Sequence, residues 1–335
     1  MADLTDGALL TEPSENPLLS IDTNFRQYLN AYTRSFQNHV VDGALDYAFD
    51  ADFAVRQKIT GLAGWNKLLK AIVSQDVTAE AKFLFSKFNQ AGPLKYPDIY
   101  DIVKLCAERL ELNLPIVIVR DDTDKPLIYS ISTEIIEPCI VVSTGLLKFC
   151  TKEELLLLVG MECGRIQNNH CVYQFAVTYI NINRDVFKPA ERSYKQTLSS
   201  QIIYMLPEWI LCADITCDRA GIICCDEPAD FPRILAGIYA KGYLDFFGRS
   251  YTLPDTARLT EAAEKLTQSG VRSIKTDKTL SRFERRLLAA HEFLRCDSLY
   301  GWRRDLDAAQ IHTQNRQVCD VRTNLIAGNS ATDPA

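Results

Sequence analysis

The residues best able to do chemistry gather in one short run, Met161-Glu162-Cys163-Gly164-Arg165, with an imidazole following at His170. On a helix, Glu162 and Arg165 lie three positions apart and Met161 and Arg165 four, so the three side chains share a face. A carboxylate there can serve as a general base. Beside a guanidinium it is equally suited to a buried ion pair. Cys163 and His170 supply a thiol and an imidazole, but seven residues is two turns, about 10 Å along the axis, too far for a nucleophile and its base. Cys171 adjoins His170 and points to a different face. A second run, "WILCADITCDRAGIICCD", carries Asp214, Asp218, Arg219 and four cysteines. Cys212, Cys217, Cys224 and Cys225 lack the paired Cys-x-x-Cys spacing of a zinc ribbon, and on one helix they read as small buried side chains. His39, His291 and His312 have no His or Cys partner at ligand spacing and are expected to be structural or exposed.

Both runs need helices to hold them. Thr151 with Glu154 three residues on is a capping box, so a helix is expected from Lys152 through the first run. The second run lies in an apolar helical stretch expected to end near Cys225. Ahead of them, Pro97 and Asp98 open a helix carrying Ile99, Ile102, Val103, Cys106 and Leu110. Pro115 ends that pattern, and Ile116–Val119 and Ile140–Val142 are β-branched runs expected as strands. A short helical piece is expected over Leu146–Cys150, and further helices over "DFPRILAGIYAKGYLDFF" and "LSRFERRLLAAHEFLRCDSL". Helices, a few strands and again helices imply an α+β fold. The expected division is a flexible tail over 1–20, a helical N-terminal segment over 21–92, a main domain over 93–318 and a flexible tail over 319–335, with a polar connection at 186–200.

The chain has 335 residues, 47% of them apolar, which is enough for a sizeable core. A net charge of −6 argues against a general nucleic-acid or anionic-membrane surface. No apolar stretch reaches the ~18–20 residues of a bilayer span. Eleven cysteines scattered through apolar runs, behind a polar, acidic N-terminus, fit free thiols in a reducing compartment, so a soluble cytoplasmic protein is expected. The basic, aromatic segment from Arg285 to Asp307 reads as a solvated helix face or a protein-contact surface.

Three segments in order resemble the gluzincin metallopeptidases, the family of the CaaX prenyl protease and the bacterial heat-shock membrane protease. "IVVSTGLLKFCTKEELLLLVG" resembles the family's strand, turn and approach to its active helix; "MECGRIQNNH" stands where its His-Glu-x-x-His zinc motif lies; "WILCADITCDRAGIICCDEP" resembles its second-motif helix. The resemblance covers about residues 95–245 and implies a mostly helical, zincin-like domain with a small sheet. Carried over by position, Met161 and Arg165 stand where the family has zinc-binding histidines, Glu162 where it has the general base, and Asp214 where a Glu is the third ligand. His170 matches a trailing histidine that is not a primary ligand. Trp209 matches a bulky core aromatic, and Asp218 and Arg219 match a pair that braces the active helix.

A catalytic zinc needs three His, Cys or carboxylate ligands and a water. A thioether is a poor ligand, and a guanidinium cannot deprotonate to become one. At ~4 Å and an effective dielectric of about 20, Arg165 would repel a dication by roughly 8 kcal/mol. The resemblance therefore implies a catalytically inactive relative with no metal cofactor, in which Arg165 fills the metal position and pairs with Glu162, Asp214 or both. Such a protein would bind a protein or peptide through the old cleft or the C-terminal face. One alternative is an active zinc endopeptidase with atypical ligands, Glu162, His170 and Asp214. Another is a thiol or redox protein, for which the cysteine count is the motive.

Overall fold

A computed structural model describes residues 39–182, 200–269, 279–308 and 313–328. The tail expected over 1–20, most of the polar connection at 186–200, and His312 lie outside the described residues. Val40–Ala335 forms one compact unit and Met1–His39 another, of which only His39 is described.

The described residues form an α+β fold, helices around a four-stranded sheet and a separate two-stranded hairpin. Strands β1 (Val40–Val41) and β2 (Ala44–Leu45) pair as a hairpin, followed by α1 (Asp50–Thr60), α2 (Trp65–Ala71), a π-helical turn (Ile72–Val77) and α3 (Thr78–Lys87). Then come β3 (Asn89–Gln90), α4 (Pro97–Arg109), β4 (Ile116–Arg120), β5 (Ile128–Thr133), β6 (Ile136–Ser143) and α5 (Thr144–Phe149). The sheet order is β3-β4-β6-β5, with β4 parallel to β6 and the other pairs antiparallel.

Two long helices carry the candidate site: α6 (Lys152–Gln167) and α8 (Ser200–Cys224), with α7 (Cys171–Ile182) between them in sequence. The Thr151–Glu154 capping box starts α6. It stops at an Asn168-Asn169 turn in which Asn169 takes a left-handed φ of 56°, a conformation that asparagine tolerates. That turn folds His170 back under the helix, its amide donating to the Arg165 carbonyl. The chain then runs through α9 (Phe231–Ala240), α10 (Thr256–Gln268), α11 (Arg282–Phe293), α12 (Asp297–Trp302) and α13 (Arg316–Ala327). No described helix is long and apolar enough to cross a membrane.

Three sequence expectations need correction. No boundary falls at 92/93: Ile59, Trp65, Ile72 and Leu84 share one hydrophobic core with Ile118, Val141, Val177 and Trp209, so residues 40–92 belong to the main unit. The chain from 319 is not a flexible tail as far as it is described. Asn315 caps α13 through the Val318 amide, Gly328 ends it at φ 74°, and Cys319, Thr323 and Ile326 are buried. The segment from Arg285 to Asp307 is not a solvated face either. Arg286 and Arg303 are buried, Arg303 donating to the carbonyls of Ile223 and Cys225, and the Trp302 indole donates to Asp46 at 2.5 Å.

Candidate functional site

Helices α6 and α8 touch almost backbone to backbone, because glycines line the contact. A Cβ on Gly164 would come within 2.4 Å of the Ala220 Cβ, and one on Gly160 within 2.6 Å of the Cys224 Cβ. From α8, a Cβ on Gly221 would meet Leu157 at 2.6 Å. This close approach brings Asp214 opposite Glu162 and Arg165. The Arg165 Nε donates to Glu162 Oε1 at 3.1 Å, and Arg165 Nη2 lies 3.6 Å from Asp214 Oδ1. All three side chains are buried.

Residues far away in sequence complete the cluster. Ser130 on β5 donates its hydroxyl to Glu162 Oε2 at 2.8 Å. Arg249 donates to Asp214 at 3.0 Å and also to Asp245, and Arg282 approaches Asp214 at 3.5 Å. Three guanidinium groups thus face one aspartate. Burial pushes the Asp214 carboxyl up, but Arg249, Arg286, Arg282 and Arg165 outweigh it and hold the group well below the usual carboxylate range. Burial also pushes Glu162 up, and there it prevails over Arg165 and Ser130. Met161 packs beside the cluster, 6% exposed. The space enclosed by Met161, Glu162, Arg165, Asp214, Tyr243 and Arg286 is about 20 Å³, room for about one water molecule and not for a peptide.

Asp218 and Arg219 face structural partners. Arg286 of α11 forks onto both Asp218 oxygens at 2.8 and 2.6 Å. Arg219 donates to the Tyr47 carbonyl at 3.2 Å, to Asp320 at 2.8 Å and to the Thr323 hydroxyl at 3.2 Å. It thereby ties α8 both to the start of the unit and to α13.

His170 belongs to a separate polar cluster. Its Nε2 lies 2.8 Å from Asp52 Oδ2 and its Nδ1 3.6 Å from Cys217 Sγ. Asp52 also accepts from Trp209 Nε1 at 2.7 Å, from Thr216 at 2.9 Å and from Arg56 at 3.0 Å. The order Cys217–His170–Asp52 has the connectivity of a thiol triad. Each of the three is at most 1% exposed, however, so no substrate meets the sulfur in this state. Burial pushes the Cys217 thiol well up despite nearby Arg165, and burial pushes His170 down against the pull of Asp52. The arrangement is a neutral thiol and a neutral imidazole beside an ionised aspartate. Trp209 and Cys163 are fully buried, and Cys212, Cys224 and Cys225 are buried. His39 is buried, and His291 is half-buried with a ring nitrogen 3.0 Å from the Thr267 hydroxyl.

Sequence reasoning had not singled out Ser130, Asp52, Arg249, Arg282 or Arg286. A signal existed for Ser130: the run Ile128-Tyr129-Ser130-Ile131 is β-rich, and a lone serine on a buried strand needs a polar partner. Nothing local marked the others.

Over 131 residues, 39% of this chain, the sequence is 25% identical to the plastoglobule-localized metallopeptidase 48, chloroplastic, of Arabidopsis thaliana. The chain is similar to a metallopeptidase. The match spans 37% of that relative's length. No family model matches the chain, and no solved structure matches it.

The donor set does not fit the zinc ion that such a relationship implies. Of the three positions, Met161 offers a thioether and Arg165 a cation, and Asp214 is already engaged by guanidinium groups. His170 cannot supply the missing imidazole, because its two ring nitrogens face Asp52 and Cys217.

Proposed function

We propose that this chain is a zincin-like, gluzincin-type relative of the metallopeptidases that does not hydrolyse peptide bonds and serves as a protein- or peptide-binding scaffold. One observation carries the reading: the Arg165 guanidinium lies between Glu162 and Asp214, where a peptidase would need a metal. Glu162 keeps the position of the general base, but it accepts hydrogen bonds from Arg165 and Ser130 and has no metal-activated water to deprotonate. Binding through the old cleft does not fit a 20 Å³ space. The surface groove between α3 and α7, about 490 Å³ and lined by Ala79, Phe83, Phe175, Tyr179 and Ile182, is large enough for a few peptide side chains. The eleven free thiols favour a reducing compartment such as the cytoplasm.

The alternative peptidase with Glu162, His170 and Asp214 as ligands would require His170 to leave two buried partners. The reading is tested by the metal content of the purified protein, measured by mass spectrometry beside a Met161→His, Arg165→His double variant, with casein hydrolysis followed in both. The expected result is no stoichiometric zinc in the wild type and a gain in the variant. One zinc per wild-type chain, or casein cleavage abolished by Glu162→Gln, would overturn the proposal.

A further inference from the structure

The surface groove between α3 and α7 has two helical walls. Asp76 in the π-helical turn, then Glu80 and Phe83 on α3, line one wall, and Phe175, Tyr179 and Ile182 on α7 line the other. Each trio is spaced i, i+4, i+7, so each wall is a continuous helical stripe about two turns, or ~10 Å, long. Both walls are firmly seated. Val77 and Leu84 behind the first and Val177 and Ile180 behind the second belong to the same hydrophobic core.

Two properties of the groove restrict what can fill it. It leaves large apolar side chains in water, Ile182 at 78% and Phe83 at 41% exposure, and such a patch calls for an apolar cover. The charged residues that line it, Asp76 and Glu80, are both acidic. Glu80 accepts the Tyr129 hydroxyl through one oxygen, and neither acid makes an ion pair among the described residues. Lys87, a cation 5.0 Å over the Phe83 ring, is engaged by Asp122 at 3.4 Å.

The walls also select the backbone of the occupant. As helices, α3 and α7 use their own backbone groups in internal hydrogen bonds and offer no strand edge, so an extended peptide would bury amides without partners. A helix brings its backbone bonds with it and needs side-chain contacts alone.

Taking the chain as the scaffold proposed above, we propose that this groove receives an amphipathic helix of a partner protein. Its apolar stripe covers Phe83, Phe175 and Ile182, and Lys or Arg side chains flanking the stripe pair with Asp76 and Glu80. The ion pairs set orientation and choice of partner more than affinity. An acidic helix meets repulsion in the same place.

The test is fluorescence anisotropy on the full-length chain with two labelled alanine-based helical peptides. Both carry leucines at i, i+4 and i+7; one flanks them with lysines, the other with glutamates. The lysine peptide should bind and the glutamate peptide should not. Asp76→Lys should weaken the lysine peptide about five- to tenfold at low salt and favour the glutamate peptide. Ile182→Asp, at an exposed position that folding tolerates, should abolish binding of the lysine peptide. Equal binding of both peptides to the wild type, no binding of the lysine peptide, or binding indifferent to both substitutions would overturn the proposal. So would a dimer in analytical ultracentrifugation that Ile182→Asp dissolves, which assigns the groove to a second copy of this chain. Sedimentation with phosphatidylcholine vesicles that Ile182→Asp abolishes would assign it to a lipid surface and overturn it equally. Absent peptide binding in a chain that holds no zinc and cleaves no casein overturns this partner alone, whereas zinc-dependent cleavage overturns the scaffold reading.

Discussion

Arg165 donates to Glu162 one turn away on its own helix, at 3.1 Å, and reaches Asp214 on the facing helix at 3.6 Å. One cation thereby joins two buried carboxylates, and removing it leaves Glu162 held, among the described residues, by Ser130. Breaking a buried pair from one side costs about 3–5 kcal/mol. Arg165→Met should therefore destabilise the protein by about that amount in urea unfolding. Adding Glu162→Gln should recover much of the loss, because the uncompensated charge goes with it, while Asp214 keeps Arg249 and Arg282. Additive losses would show that the pair is not coupled.

His170 predicts a dependence on pH. Its folded pKa is lowered, chiefly by burial, so the folded chain resists a proton that the unfolded chain accepts near pH 6.5. Stability from this group is present above that pH and is lost as pH falls through it, with a slope of at most about 1.4 kcal/mol per pH unit. Urea unfolding of the wild type should weaken between pH 7.5 and 5.5, and His170→Asn should flatten the slope. Asp52 and Asp214, both lowered, act in the same direction but below about pH 4, the unfolded carboxylate range. Glu162 is raised and acts in the opposite sense: its contribution is present at low pH and is lost as pH rises.

The contact between α6 and α8 has no room for a methyl group at Gly164, where Ala220 Cβ stands 2.4 Å from a built Cβ. Alanine improves helix propensity by roughly 1 kcal/mol, but here overpacking should win. Gly164→Ala is expected to destabilise by about 1–3 kcal/mol net. It should also shift Arg165 relative to Asp214, so the dependence of stability on salt should change with it. A thermal melt unchanged from wild type would mean the helices separate more easily than their packing implies.

The sequence made local features legible because local free energies set them. The Thr151 capping box, Pro97 at a helix start, and the β-branched runs at Ile116 and Ile140 all appear in place. Partners brought in by the tertiary path were not legible. Asp52 lies 118 residues from His170, and as an acid in the first turn of α1 it looks like ordinary helix chemistry. Arg282 and Arg286 sit in a stretch whose charge suggests solvent, but Asp214 and Asp218 draw them inward. The expected tail from 319 contained its own warning. Asn315 and Gly328 bracket Val318, Cys319 and Ile326, a capped apolar stripe that short length and a polar end disguised.

Cys217 gives the sharpest separation between shape and activity. Its sulfur lies 3.6 Å from an imidazole whose other nitrogen holds an aspartate, the connectivity a cysteine hydrolase uses. Two physical facts oppose reactivity. The sulfur has no exposed surface, and burial raises the thiol so that thiolate is scarce at neutral pH. The expected role is mechanical: Asp52, with bonds to His170, Trp209, Thr216 and Arg56, pins α1 to the turn between α6 and α7 and to α8. Native protein treated with iodoacetamide should therefore leave Cys217 unmodified, while half-buried Cys150 reacts first. Asp52→Asn should lower the unfolding midpoint and speed Cys217 alkylation together, because both follow from opening the same cluster. Rapid alkylation of Cys217 in stable wild-type protein, slowed by His170→Asn, would instead mean the triad is a working nucleophile.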